Sequence, residues 1–490
     1  SPPFHRDVIT SGGNNVTETG KLDRPGRRGL TLTALPEWGW YLILAIVAIL
    51  YHVVFLQINA QWWFEDDPTL FAFVKKVANP MAFFLSPETL KSYGAGGSLT
   101  PFQALSEWID STVAYRSLTF VHLHNTLSLT ITLLILFHVL RRFRLSIGAA
   151  ISLCLLWLCL PGTIVVSQFL AARHYLEGFA VALLAVAFAQ RVAQGDWAEN
   201  WRSVSLLCVT LACAMLCKEI YAITLPLFVA IYLFEVGRRG AALAALLLVP
   251  PYLAYRYWIF GGGVTWGSPF LGPVEYVTYL WRLPFALTGS YGGYLLAGVG
   301  LIVVWWFVVR GSVPLRMWAY GLLLLGSILA VMYPVAYPTL SAWESPKTWH
   351  RVLFLLGTAL LLGAGFAYRK LPQGFSRRVG LALTIVVLGW GAVVTQQEWR
   401  ELMAGYRREG RFYLAHPDRL LYSEVPASFF LGGVDQLYEV PERHYVLAAE
   451  RVHPPRDVLQ RHGTIWRVVE GKFKRDPALF AELQGKAELP

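Results

Sequence analysis

The sequence predicts an all-α polytopic membrane protein of about eleven transmembrane helices, with a small α+β extracytoplasmic domain at its C-terminal end. Three observations carry this. First, charged residues make up 15% of the 490-residue chain while hydrophobic ones make up 55%, and mean hydropathy is +0.46. A soluble domain carries about a quarter charged residues. Second, the apolar residues come in long runs rather than scattered positions, which excludes a soluble globular enzyme and a disordered chain. Third, Lys and Arg collect in alternate connections between the runs, the pattern by which spans are oriented.

In chain order, residues 1–38 form a polar, basic cytoplasmic tail. Apolar runs follow at 39–57, 119–140, 145–168, 175–190, 203–217, 219–236, 240–258, 291–309, 316–333, 351–368 and 379–395. Together they define a membrane domain over 39–396. A further apolar stretch near 273–290 reads as a re-entrant or interfacial helix. Basic residues such as Arg141-Arg142-Phe143-Arg144, Arg238-Arg239 and Arg377-Arg378 fall on one side, which places the N terminus in the cytoplasm. The opposite, periplasmic side then holds a long loop at 58–118, a second loop at 259–290 and the segment 397–490. That last segment has as many acidic as basic residues, so the net charge of +11 belongs to the membrane part. Membrane orientation accounts for it, and no nucleic-acid partner is implied. The aromatic and β-branched patches His444–Leu447 and Thr464–Val469 suit a small α+β domain there. All five cysteines fall in apolar runs, with no disulfide framework and no metal-site spacing.

Chemistry concentrates at the outer ends of the runs. Trp62-Trp63-Phe64 leads into Glu65-Asp66-Asp67-Pro68, three consecutive carboxylates beside interfacial tryptophans. Like charges this close raise one another's pKa unless a cation neutralises them. The triplet suits a general base, with capacity for a divalent cation. It also suits a solvated turn in which Asp66 or Asp67 caps a helix opened by Pro68. Cys217-Lys218-Glu219 joins two runs with almost no loop. Charges at such a junction must pair or face a polar cavity. The cations Arg173-His174, Arg256, Arg282, Lys347 and His350-Arg351 lie on the side poorer in basic residues. A phosphate-bearing ligand explains them through charge-assisted hydrogen bonds, and snorkelling to headgroups is the alternative. His122 and His124, two apart on a helix, point to different faces and read as packing. Gly261-Gly262-Gly263 reads as a turn.

The order of these features resembles the glycosyltransferase-C superfamily of polytopic enzymes that use polyprenyl-phosphate-linked sugars. Asp66-Asp67 looks like that superfamily's acidic pair in the first external loop. Lys218-Glu219 before Ile223-Thr224-Leu225-Pro226 is similar to its Ser-Lys-Glu junction, with Cys217 in place of Ser. Arg173-His174-Tyr175 looks like its Arg-x-Asp segment with Tyr175 at the acid. His350-Arg351 resembles its Glu-Arg segment with His350 at the acid. The resemblance implies a membrane glycosyltransferase of the bacterial inner membrane. It would move a sugar from the lipid donor to a protein, lipid or glycan acceptor on the periplasmic face. Asp66, Asp67, Glu65 and Glu219 are then the catalytic candidates. Lys218, Arg173, Arg351, His174, His350, Arg256 and Arg282 are the candidates for the donor phosphate. The reaction is read either without a cofactor or with Mg or Mn held by Asp66 and Glu219. Membrane lipids are the other expected partners. The alternative is a non-catalytic glycosyltransferase-like subunit of a larger membrane complex, to which the Tyr175 and His350 departures point.

Overall fold

The computed structural model describes residues 35–64, 67–93, 98–114, 116–195, 201–261, 273–309, 314–341, 351, 353–370, 375–416, 419–423, 437–438, 446–448, 459–460, 463–469 and 472–485. The chain divides into two compact units, Ser1–Trp40 and Tyr41–Pro490. Of the first, the described part is the opening of helix α1 (Glu37–Leu50).

Each of the eleven apolar runs falls on helix. After α1, the chain passes through a π turn at Tyr51–Phe55 and a 3-10 turn at Ile58–Ala60. The first external loop is itself helical: α2 (Asp67–Lys76), α3 (Ala82–Leu85), α4 (Pro87–Tyr93) and α5 (Pro101–Ala114). Next come α6 (Leu118–Arg142), α7 (Ile147–Leu158), α8 (Pro161–Gln168), α9 (Arg173–Gln194) and α10 (Trp201–Cys217). The set continues with α11 (Thr224–Glu235), α12 (Arg239–Leu246), α13 (Val249–Phe260) and α14 (Pro273–Thr288). It closes with α15 (Gly292–Val309), α16 (Leu315–Ser341), α17 (Phe354–Lys370) and α18 (Phe375–Ala415). Local sequence explains the ends. Ser117 and Ser146 cap α6 and α7 through their hydroxyls. Pro161 opens α8, and Gly261 ends α13 in the left-handed region (φ 67°).

Among the described residues, five helical segments are long and apolar enough to cross a membrane: Glu37–Phe55, Leu118–Arg142, Leu170–Gln194, Arg239–Phe260 and Arg378–Ala415. Two bent pairs raise the number to seven: α7 with α8, bent by 63°, and Trp281–Thr288 with Gly292–Ile302, bent by 114°. Trp201–Cys217, Leu315–Val331 and Phe354–Ala367 are apolar but short. Among the described residues, five to seven segments thus pass by length and composition where the sequence predicts about eleven spans, because several runs are shorter than the ~20 residues a hydrocarbon core needs. The sharp 114° reversal lies where the sequence suggests a re-entrant segment. Glycine permits both the reversal and its packing on α18. A Cβ on Gly391 would sit 1.8 Å from the Thr288 carbonyl oxygen, and one on Gly293 2.0 Å from that of Pro284.

Helix α18 is 41 residues long, about 60 Å, roughly twice a hydrocarbon core. Its second half therefore continues beyond the apolar part, and the boundary read at 396 falls inside it. Beyond it lies the four-stranded sheet β2-β1-β3-β4. β1 (Leu420–Ser423) pairs in parallel with β2 (Val446–Ala448) and β3 (Ile465–Val469), and β4 (Lys472–Arg475) runs antiparallel to β3. With α19 (Pro477–Gly485) it encloses a core of Leu420, Leu459, Ile465 and Leu483. The two aromatic and β-branched patches overlap β2 and β3.

Candidate functional site

The first loop, the start of α9 and the α10–α11 junction meet at one place. Asp67 is the first residue of α2 and is buried. Its Oδ2 accepts the Phe64 N–H at 3.0 Å and its Oδ1 accepts the Ala171 N–H at 2.7 Å. Ala171 lies in the 3-10 turn that opens into α9. A helix N-terminus presents unsatisfied N–H groups, and a carboxylate from elsewhere in the chain supplies the acceptor. Asp67 thus fastens the first loop to the helix that carries Arg173 and His174. Pro68 follows at the second helical position, as the turn reading requires. Glu65, Asp66, Lys347 and His350 lie outside the described residues.

The junction is fastened to the same loop. Glu219 opens a one-turn 3-10 helix, and Lys218 precedes it in extended conformation. The Glu219 Oε1 accepts the Leu99 N–H at 2.5 Å, and the Ser98 hydroxyl lies 3.4 Å from Oε2. Lys218 Nζ donates to Ser98 Oγ at 2.8 Å and lies 3.3 Å from Glu219 Oε2. Arg256, from α13, approaches Oε1 at 3.3 Å. Burial alone raises the Glu219 carboxyl, but Lys218, Arg256 and the Leu99 N–H outweigh it and hold the group below its ordinary value.

Lys218 is buried and stands over the Tyr175 ring, 5.4 Å from its centroid. Tyr175 is also held by its carbonyl, which accepts the Tyr221 hydroxyl at 2.7 Å. The residue where the resembled family has an acid thus provides an aromatic seat for the lysine, a cation–π contact. His174 stacks beside Tyr175 and is within the electrostatic reach of both Lys218 and Arg351. Arg351 lies 4.6 Å above the Phe169 ring. Phe169 meets Phe64 edge-on at 4.9 Å, and Phe64 immediately precedes the acidic pair Glu65-Asp66. His174 and Lys218 therefore meet at Tyr175, and Arg351 reaches Phe64 through the Phe169 ring. Arg282 sits elsewhere, half-buried on α14, a helix packed against α8, α15, α16 and α18.

Arg173 has a different setting. It is buried, with Nη1 2.5 Å from Asp110 Oδ2, and Glu177 lies 3.7 Å from its Nε. His124 Nδ1 is 2.7 Å from Asp110 Oδ1, and its Nε2 is 3.5 Å from Glu177. Beside them, Glu107 accepts the Tyr93 hydroxyl at 2.8 Å and the Gln103 amide at 2.9 Å. Burial pushes the Glu107 carboxyl up to about 7, against the lowering pull of Gln103, Arg173 and Tyr93. Sequence reasoning missed Glu107 and Asp110, and it took His124 for packing. His122 does pack, buried within the bundle, whereas His124 belongs to this network. A signal was present: Gln103, Glu107 and Asp110 recur at i, i+4 and i+7, a polar stripe on one face of α5.

The C-terminal segment touches the same loop. Trp63 Nε1 donates to the Tyr438 hydroxyl at 3.1 Å, and Arg116 Nε donates to the Leu437 carbonyl at 2.7 Å. Among the described residues, no three His, Cys, Asp or Glu side chains gather as a cation site.

No family model and no curated protein matches this sequence. Among solved structures, that of ArnT from Cupriavidus metallidurans bound to undecaprenyl phosphate is similar, at 14% identity and a TM-score of 0.42. The match covers 92% of this chain and 96% of that one. The likeness is too distant to identify this fold. The class that the helices define is a helical protein with five to seven membrane-spanning candidates and a small mixed sheet after them.

Proposed function

We propose that this protein is a membrane glycosyltransferase that moves a sugar from a polyprenyl-phosphate-linked donor to an acceptor at the periplasmic face of the inner membrane. The observation that carries this reading is the double fastening of the first loop. Asp67 bonds to Ala171 beside Arg173-His174, and Glu219 bonds to Leu99 beside Lys218. These bonds tie the loop to the chain beside Arg173-His174 and beside Lys218, which supports a shared site. Lys218, His174 and Arg351 would receive the donor phosphate and stabilise charge on it as the sugar leaves, a preorganised electrostatic role. Arg256 would hold Glu219, and Glu219 would hold Lys218. Both oxygens of Asp67 accept backbone N–H groups, which suits a positioning residue. The base that takes the acceptor's proton is then assigned to Asp66, with Glu65 as its neighbour. A positioned base typically supplies about 10²–10⁴-fold.

The reaction is read as metal-free, because two cations and a backbone N–H already occupy the Glu219 oxygens that a divalent ion would need. Transfer that stops with EDTA and returns with Mn²⁺ or Mg²⁺ would reverse this. The segment around Tyr438 would shape the acceptor entrance, through its contacts with Trp63 and Arg116. The test is transfer from a polyprenyl-phosphate sugar by the purified full chain and by Asp66→Asn and Arg351→Ala. Asp66→Asn is expected to abolish transfer with membrane insertion intact, and Arg351→Ala to weaken donor binding on titration. A non-catalytic subunit is the second reading, favoured by Tyr175 and by the backbone bonds on Asp67. It predicts no turnover of any sugar lipid and co-purification with other subunits in fixed stoichiometry.

A further inference from the structure

Beyond its apolar stretch at 379–395, α18 turns cationic on one face. Arg400, Arg407, Arg408 and Arg411 fall at i, i+7, i+8 and i+11, the spacing of a single helical stripe. With Gln57 and Gln61 they line a groove of about 400 Å³ whose wall, among the described residues, carries no carboxylate.

The groove is continuous with the first loop. Gln61 is buried and locked in the wall. Its amide donates to the Leu56 carbonyl at 2.8 Å and to Gln168 Oε1 at 2.9 Å, and its oxygen accepts Trp399 Nε1 at 3.0 Å. Arg411 lies over the Trp62 ring at 5.7 Å, and Trp62 stands three residues before Glu65 and four before Asp66. The buried indole N–H of Trp62 has no hydrogen-bond partner among the described residues. The cations are also uncommitted. Arg400 donates to the Phe55 carbonyl at 2.9 Å, but neither Arg407 nor Arg408 makes an ion pair among the described residues. Glu401, on the same helix, accepts the Gln397 amide at 3.4 Å.

Height narrows the occupant. At a rise of about 1.5 Å per residue, Arg407, Arg408 and Arg411 lie roughly 18–24 Å beyond the apolar stretch. The polar headgroup layer is roughly 5–8 Å thick on each side. A phospholipid headgroup stays below these arginines, and so does the phosphate of a donor anchored by its polyprenyl tail. The ligand therefore comes from the watery side. Arginine forks bind carboxylate and phosphate alike. The stripe runs roughly 16 Å from Arg400 to Arg411, which matches a chain with several charges along it better than one small anion. Gln57 adds an amide that can both donate to and accept from hydroxyls. A groove of this volume is the size of a small-ligand site, and a protein face needs a broad, flat surface. We propose that the groove seats the anionic groups, carboxylate or phosphate, of an acidic glycan, and that this glycan is the acceptor whose hydroxyl is brought to the acidic loop. The acceptor role rests on the glycosyltransferase reading, and the binding does not.

The experiment reads binding and transfer separately, on the full chain in a neutral detergent. Fluorescent oligogalacturonate and a phosphomannan oligosaccharide are titrated, each beside its neutral counterpart, carboxyl-reduced or dephosphorylated. Wild type is expected to bind at least one acidic form roughly tenfold or more tighter than its neutral counterpart, the weight of one charge-assisted bond, and to transfer sugar to it. The form preferred tells carboxylate from phosphate. The double change Arg407→Gln and Arg408→Gln is expected to lose that preference and to keep its affinity for the polyprenyl-phosphate sugar. Equal binding of acidic and neutral forms by wild type, a result that needs no variant to fold, overturns the proposal. A double variant that keeps the preference overturns it too. Oligoglutamate that binds as tightly as the acidic glycans, or inorganic phosphate that displaces them at their own binding concentration, overturns the glycan assignment. Transfer to neutral glycans alone, unaffected by the double change, overturns the acceptor role and leaves the glycosyltransferase reading standing. Binding of the acidic glycan with no transfer to any acceptor overturns that reading and leaves the ligand of the groove standing.

Discussion

Two buried charge clusters lie side by side in this molecule, and they are built in opposite senses. Around Arg173, one cation is surrounded by carboxylates: Asp110, Glu177 and, a little further out, Glu107. Around Glu219, one carboxylate is approached by the cations Lys218 and Arg256. The first cluster pairs its arginine with two carboxylates and ties α5, α6 and α9 together, which suits a structural role. The second gathers two cations on one carboxylate, which suits the anionic donor proposed above.

The largest expected effect breaks the first cluster. Asp110→Ala leaves Arg173 buried without its closest partner, and loss of one member of a buried pair typically costs about 3–5 kcal/mol. Thermal unfolding in detergent should show a fall of that size. A smaller fall for Lys218→Met is the sharpening control, because Glu219 keeps Arg256 and the Leu99 N–H.

Next comes pH, where the two clusters should differ in sign. The folded value of Glu107 is raised to about 7 from an ordinary 4.5. Its contribution is therefore fully present below about 4.5 and is lost as pH rises through about 7, a change of roughly 3 kcal/mol. Glu219 is lowered, so its contribution is present above the ordinary carboxylate range and is lost as pH falls through its folded value. Glu107→Gln should remove the stability loss between pH 5 and 8, and Glu219→Gln should leave that loss in place. Equal pH profiles for the two variants would erase the distinction.

The smallest effect concerns the packing between the clusters. A Cβ on Gly178 would meet Tyr221 Cε2 at 2.6 Å and Cys217 Cβ at 3.0 Å. Gly178→Ala should push the junction away from α9 and cost about 1–3 kcal/mol. If Tyr221 holds Tyr175 under Lys218 as described, this variant should also weaken binding of the phosphate-bearing donor.

Much of this was legible from residues. The Lys218-Glu219 junction was read as charge that must pair or face a cavity, and it pairs. Pro68 was read as a helix opener, and α2 begins one residue before it. The apolar runs predict helices, and they are helical, with five segments among the described residues long enough to cross alone. What escaped is instructive. The stripe Gln103, Glu107 and Asp110 looks like the wet face of a loop helix, yet it is buried, while Ile109 and Val113 on the same helix are exposed. Arg173 was grouped with the phosphate ligands, and its partner Asp110 lies 63 residues away, beyond any local pattern.

Composition and spacing alone determined that the chain is a bundle of apolar helices with its ionisable residues at their ends, because burying a charge in a span is costly wherever the span goes. Which carboxylate meets which cation was decided only by packing. Asp67 meets Ala171 across 104 positions, and Glu219 meets Leu99 across 120. Pairing at such separations depends on how helices stack, which nothing near either residue encodes.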